Sequence, residues 1–503
     1  MSQAVGEETL AVPGIVPTVI DPADGRVVAG AAAVAVATDL ALRAGVLGLA
    51  GALLVLITAA ALLASGRLAS WQARLVVAAA PVFGVFLAVR ASDWLLPLDV
   101  AAALGLLALG ASLARGGDVL DLTVPRVVVR AVHAVLHAAA APAFAAAPAR
   151  RAARRHVGTS GRAEAALRVG GGVLLAVPLL LLLGFLLASA DAVFASFFEV
   201  DVDLGGLAGH AAALAVGAWG AASLLRVTSV VPVGSLGPGR RLLGSIEAMV
   251  VLAGLAALFA VFAAAQLVAL SQGGRHVLAT AGLTYAEYAR SGFFQLLAVA
   301  VITLGVLLVL RALTDLDHPG RRRAFTVLAE VAVALTLVVV VVAIRRLDLY
   351  ERTFGLTMLR LYSELFSYWI GAVFLLLGCS LAGLGRRRAW FLGAAAAAGL
   401  ALLLALNVVN PEAVVVGHNL ARAPAAEAGP VDRAGSLDPA YLAGLSDDMV
   451  PTLVDRAPSL DPVARAAVTE RLCRERPAPR WTGWAAWNLA RERARQRLAA
   501  FCA

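Results

Sequence analysis

The feature that most constrains this chain is the stretch from Val331 to Ile344, fourteen residues without a charge that close in the run TLVVVVVAI. A helix rises about 1.5 Å per residue, so crossing a hydrocarbon core of about 30 Å takes roughly 20 apolar residues. The run 325–344 meets that length, and ten more resemble it: 27–42, 44–65, 75–89, 99–114, 169–189, 207–225, 248–270, 292–313, 366–384 and 389–408. The first, third and fourth are short, and the first pair also reads as one helix broken around Asp39 and Arg43. The expected fold is all-α: a polytopic bundle of about eleven transmembrane spans with a small C-terminal helical domain outside the membrane. Composition agrees, with 61% apolar residues, 15% charged residues and a mean hydropathy of +0.85. Soluble domains carry about half apolar and a quarter charged residues. A soluble enzyme, a fibrous protein and a disordered chain are excluded.

The organisation divides into 1–26, a leader expected to be disordered, 27–114 with four spans, 115–168 as a basic loop, 169–408 with seven spans, and the tail 409–503. Glu7, Glu8, Asp21 and Asp24 outweigh Arg26 in the leader, the opposite of a secretory signal. All 42 basic residues are arginine. Counted over alternate loops, 21 arginines fall in 66–74, 115–168, 226–247, 311–324 and 385–388, against 8 in the other set. Arginine-rich loops stay cytoplasmic. The N-terminus is therefore expected inside a plasma membrane and the tail outside. This clustering between apolar runs also argues against nucleic acid as the partner of so basic a chain.

Within 115–168, Arg126, Arg130, His133 and His137 form one helical stripe, with Val127, Val128, Val132, Val135 and Leu136 on other faces. That pattern suits a helix lying on the anionic inner leaflet, and Arg150, Arg151, Arg154 and Arg155 add a polybasic cluster. A topology determinant with no partner is the simpler alternative. His133 and His137 have metal-pair spacing but no third ligand nearby, and Cys379, Cys473 and Cys502 show no metal-ligand spacing, so neither a metal nor a cofactor is expected.

Two segments at the expected outer face are unusually polar. In TYAEYARSGFFQ (284–295), Thr284, Glu287, Ser291 and Gln295 share a helical face, with Tyr285, Tyr288 and Arg290 beside it. In YERTFGLTMLRLYSELFSYW (350–369), Thr353, Thr357, Arg360, Glu364 and Ser367 share another. Charges at membrane depth turn inward and pair, so Glu287 is expected to meet Arg360. Together Tyr285, Glu287, Arg290, Gln295, Tyr350, Arg360 and Glu364 make a candidate pocket for an envelope lipid or protein; a network that only fixes helix packing is the competing reading. Glu330 is a candidate intramembrane acid. Asp39, Gln266 and Asn407 read as packing residues. No phosphate loop, metalloprotease motif, nucleophile elbow or kinase set occurs. Three functions remain: an envelope binding or sensing protein, a transporter linking Glu330 to Glu287 and Arg360, and an intramembrane transferase with Glu287 or Glu364 as base.

The tail carries 12 arginines and 11 acids. Asp438–Pro439 and Asp461–Pro462 are helix starts, giving expected helices near 439–445, 447–456, 462–476 and 484–500. A Cys473–Cys502 disulfide is conceivable outside the cell, although a simple hairpin would hold these cysteines about 24 Å apart at 1.5 Å per residue.

The blocks GGRHVLATAGLTYAEYARSGFFQLLAV, LDLYERTFGLTMLRLYSE, NPEAVVVGHNLAR, LDPAYLAGLSDDMVPTL and WAAWNLARERAR, in that order over 245–500, resemble the actinobacterial multi-pass membrane proteins grouped as domain of unknown function 4173, related to group 4153. The resemblance implies an integral membrane protein without an established activity and lends no catalytic residues. The positions matching its blocks include Tyr285, Glu287, Arg290, Tyr350, Arg360, Asn410, Asn419 and Trp487.

Overall fold

The computed structural model describes residues 18–148, 151, 204–232, 243–271, 293–385, 389–422, 438–475 and 483–503. Four helices open the bundle: α1 (Gly25–Arg43), α2 (Leu49–Ala64), α3 (Trp71–Val89) and α4 (Leu96–Ser112). The amphipathic α5 (Val124–Ala139) and the short α6 (Ala141–Ala145) follow. Then come α7 (Leu204–Thr228), α8 (Ser245–Ser271), α9 (Phe293–Leu313), α10 (Pro319–Phe354), α11 (Met358–Leu381) and α12 (Phe391–Val409). The tail contributes α13 (Pro411–Arg422), α14 (Pro439–Ala443), α15 (Val450–Arg456), α16 (Pro462–Glu470) and α17 (Leu489–Phe501). Among the described residues, eight helices are long and apolar enough to cross a membrane, and α2 and α4 are shorter apolar helices. The architecture is thus an all-α polytopic bundle. The expected run 169–189 lies outside the described residues.

α1 and α2 are separate helices joined by a turn in which Gly45 takes φ +70°. The helices pack through small residues, which let backbones approach where no hydrophobic force separates protein from lipid. A Cβ on Gly217 of α7 would lie 2.5 Å from Thr38 Oγ1 of α1. One core joins α1 to α4 with Leu225 and Leu403; a second joins α8 to α12. α8 leaves most of its surface uncovered, including Val250, Leu258, Val261 and Leu267, as a lipid-facing helix does.

The helix ends sort into two groups. At one end, Arg67 is buried and donates to the Asp21 and Pro22 carbonyls and to Ser229 Oγ. Arg115 pairs with Asp21 and reaches the Thr228 carbonyl, and Leu243 exchanges backbone bonds with Leu313 and Asp315. These contacts bring together the described parts of the loops around Arg67, Arg115, Arg226 and Arg311. Of the expected leader, residues 1–17 lie outside the described residues; Thr18–Ile20 (β1) pairs antiparallel with Val230–Pro232 (β2), and the Asp21 and Pro22 carbonyls accept from the buried Arg67. Arg151 also lies at this end, on the Ala23 carbonyl. α7 runs antiparallel to α1, and His210 near its start meets Asp39 Oδ1 at 2.8 Å while Arg43 holds Oδ2 at 2.8 Å. Leu204 is therefore at the opposite end, where the tail packs.

Two expected patterns change. The stripe 353–367 is not one helical face: α10 stops at Phe354, Gly355 takes φ +75°, and Thr357 caps a new helix. The basic stripe of α5 turns toward the protein, with Arg130 donating to the Ser112 and Gly116 carbonyls. Burial pushes the Arg130 guanidinium and the His137 imidazole down. The valines instead are outermost, Val135 most of all at 71% exposure.

Candidate functional site: the seam between the bundle and the tail

α3 ends where Arg90 turns to extended backbone. Its side chain crosses to the C-terminus of α12, where the last carbonyls lack intrahelical donors and carry partial negative charge. Nε donates to the Asn407 carbonyl at 2.7 Å, and Nη2 donates to the carbonyls of Asn407 and of Val408, the latter at 3.2 Å. Nη1 then meets Asp448 Oδ1 of the tail at 3.1 Å. Asp448 Oδ2 accepts from the Ala91 amide at 2.6 Å. One arginine thus caps a membrane helix and holds the tail.

The asparagines repeat this double use. Asn410 takes the left-handed conformation at φ +62°, which its short polar side chain tolerates. Its Nδ2 donates to the Asp448 carbonyl at 2.9 Å while Oδ1 accepts from Ala413 at the start of α13. Asn488 is buried; Nδ2 donates to the Leu87 and Arg90 carbonyls, and Oδ1 caps α17 through the Ala490 and Arg491 amides. Two more loops are clasped. Asn419 holds Leu356 by both its amide and its carbonyl, at 2.9 and 2.7 Å, and Tyr441 Oη accepts from the Met358 amide at 2.7 Å. The Leu49 amide donates to the Trp487 carbonyl, and a Cβ on Gly48 would meet the Ala486 and Trp487 carbonyl oxygens at 2.8 Å. Beneath these polar ties lies an apolar core in which Leu356 and Met358 join Val415, Met449, Leu453 and Leu472.

Beside the seam lies a cleft of 390 Å³, lined by Arg90, Asn410, Asp447, Asp448, Arg493 and Gln496 among others. Two carboxyls near it are buried. Burial pushes Asp448 up against the opposing pull of the Ala91 amide and Arg90. It also pushes Glu412 up, opposed by the Ser446 hydroxyl that donates to Glu412 Oε2 at 2.6 Å. In the bundle just below, Asp99 is fully buried and its Oδ1 accepts from Asn407 Nδ2 at 2.7 Å. Asp99 Oδ2, Asn407 Oδ1 and Tyr362 Oη are buried without a hydrogen-bond partner among the described residues.

The residues expected from sequence distribute differently. Tyr285, Glu287 and Arg290 lie outside the described residues, and with them the expected Glu287–Arg360 contact. Gln295 is exposed on α9. Arg360 lies over the Tyr350 ring at 4.2 Å and donates to the Gly355 carbonyl. Glu364 accepts from Tyr368 Oη at 3.0 Å. Glu330 lines a different cavity, at the arginine-rich end. Cys473 and Cys502 are joined in a disulfide, with Cα atoms 5.6 Å apart. The chain manages this by ending α16 in a π-helical turn, Arg471–Glu475, and by bringing the residue that caps the end of α17, Cys502, back beside it. Among the described residues no group of three metal-ligating side chains occurs. Sequence reasoning missed Arg90, Asp99, Asp448 and Asn488. Arg90 had a signal, as the sole cation of the 90–98 loop; a fully buried Asp99 paired with a residue 308 positions away had none.

A family model described as "Domain of unknown function (DUF4153)" matches residues 75–456. The chain belongs to this family. The DUF4153 match enters in α3 and leaves with the last residue of α15. Both partners of the Arg90–Asp448 pair thus lie inside the DUF4153 region, while Asn488 and the two bridged cysteines lie beyond it. The match is to group 4153 and does not extend to group 4173. No curated protein and no solved structure matches the chain.

Proposed function

We propose that this DUF4153 protein is a non-enzymatic envelope protein of the plasma membrane that binds or senses a polar ligand in the cleft between its bundle and its tail. The carrying observation is that cleft: a cavity whose wall comes jointly from the ends of α3 and α12 and from the tail, and which offers cations, carboxylates and amides together. Ligand held there touches both bodies, so binding couples the tail to the membrane helices. The N-terminus is cytoplasmic and the tail extracellular. Support comes from charge, since among the described residues Arg67, Arg115, Arg226, Arg311, Arg322 and Arg323 lie at the end away from the tail, and from the Cys473–Cys502 bridge, which persists in oxidising surroundings. The group 4173 likeness of the sequence blocks and their actinobacterial character belong to this reading. Tyr350, Arg360 and Glu364 remain candidates for a second polar contact, as do Gln295 and the sequence candidates Tyr285, Glu287 and Arg290, the last three outside the described residues. α5 rests at the inner leaflet with its valines in the acyl region; the basic composition of 115–168, of which Arg150, Arg154 and Arg155 lie outside the described residues, favours the same anionic leaflet.

A transporter is the second reading, favoured by the cavity at Glu330. Glu330 and Tyr350 are twenty residues apart on α10, about 30 Å along a helix, so transport requires a polar path of that length. A transferase would use Glu364 or Glu287 as base.

The test is a double substitution in the exposed cleft wall, Arg493→Ala with Gln496→Ala, in a strain whose deletion is scored for envelope-stress sensitivity and lipid composition. The expected result is normal abundance with the deletion phenotype. Normal abundance with a normal phenotype would refute the cleft as the functional site.

A further inference from the structure

At the end away from the tail, the bundle carries an open cavity of 1210 Å³. Its wall carries Arg126 from α5, Arg311 from the last turn of α9, and Arg322 and Arg323 from the first turns of α10. Asp317 and Glu330 are the carboxylates on the same wall. Four guanidiniums from three helices therefore outnumber two acids. Pro319 begins α10, and the unpaired amides of a helix start add positive potential. Ser380 accepts from Arg311 Nη1 at 3.0 Å and steadies that guanidinium at the rim.

The cavity has an apolar arm. A space of 300 Å³ shares Thr123, Pro125, Arg311 and Ser380 with it and continues between Leu308, Phe391 and Leu392. Guanidinium groups match phosphate oxygens in charge and in paired hydrogen-bond geometry. The hydrocarbon-lined arm has no use for a free inorganic anion. We infer that this two-compartment cavity binds a phospholipid of net negative charge, its phosphate among Arg126, Arg311, Arg322 and Arg323 and part of its hydrocarbon in the arm lined by Leu308, Phe391 and Leu392. This site is separate from the tail cleft, and its assignment does not depend on that cleft being functional.

The test uses the full-length protein purified in uncharged detergent. Thermal unfolding is followed while dioctanoyl phosphatidylglycerol, dioctanoyl phosphatidylcholine or sodium phosphate is titrated in. The expected result is a saturable rise in midpoint with phosphatidylglycerol and none with the other two. Arg322→Ala combined with Arg323→Ala should weaken the apparent affinity at least tenfold. Arg126→Ala, on the exposed α5, should weaken it several-fold and serves if the double variant does not fold. Wild-type titration curves for these variants would overturn the site. An equal response to sodium phosphate would overturn the lipid assignment in favour of free phosphate, and an equal response to phosphatidylcholine would overturn recognition of anionic lipid.

Discussion

Arg90 at one end of this bundle and Arg322 and Arg323 at the other use the same side chain in opposite ways. At the tail end, Arg90 is nearly enclosed, with its side chain 14% exposed, and it spends its donors on two helix-end carbonyls and one buried carboxylate. At the other end, Arg322 and Arg323 stand exposed on the wall of a cavity of 1210 Å³. An enclosed cation with fixed partners sets geometry. Exposed cations around a space set a potential that a ligand can answer. The same residue type therefore does structural work where its partners enclose it, as at Arg90, and has room for recognition on an open cavity wall, as at Arg322 and Arg323.

Substitution should separate these two roles. Arg90→Ala leaves Asp448 buried without its cation, and losing one partner of a buried pair costs about 3–5 kcal/mol. The expected outcome is a large drop in unfolding midpoint and rapid proteolysis of the tail. Arg322→Ala, by contrast, should change stability by no more than about 0.5 kcal/mol, as surface substitutions do. Equal effects would erase the contrast. Next in size, Cys502→Ser opens the 29-residue loop closed by the disulfide, and loss of such a crosslink costs about 2–5 kcal/mol. This variant should melt the tail while leaving detergent-extracted bundle helicity intact by circular dichroism. Asn488→Ala removes the cap of α17, worth about 0.5–2 kcal/mol, together with its hold on α3, and should expose the last helix to hydrogen exchange first.

The smallest expected effect is pH dependence. Glu412 and Asp448 are both raised by burial. The folded tail then binds more protons than the unfolded chain at pH values above the ordinary carboxylate range. Stability is fully present below that range and falls as pH rises through the raised values. Glu412→Gln should flatten this slope in a pH series of tail unfolding, and an unchanged slope would remove Glu412 as its source.

Much of the fold was legible because lipid imposes a length rule on single segments. Val331–Ile344 declares itself without reference to any other part of the chain. Asp438 and Asp461 likewise announce α14 and α16, since a cap and the following proline act within one turn. The site was less legible because it is built from distant partners. Nothing local marks Asp448 as the residue that meets Arg90, 358 positions earlier. The split at Gly355 was missed because the period of polar residues on either side happened to continue across it, and period alone does not register a left-handed glycine. The inward turn of Arg130 is also a tertiary choice, made by carbonyls that α4 leaves open at its end.

The central claim is that the tail is an external domain fastened to the outer ends of α3 and α12. Its most direct test is a pair of fusions at Ala503, one to a fluorescent protein that matures only in the cytosol and one to a phosphatase that is active only outside. An active phosphatase with a dark fluorophore is the predicted result. A bright fluorophore with a silent phosphatase would put the tail in the cytosol and contradict the proposed orientation and external cleft together.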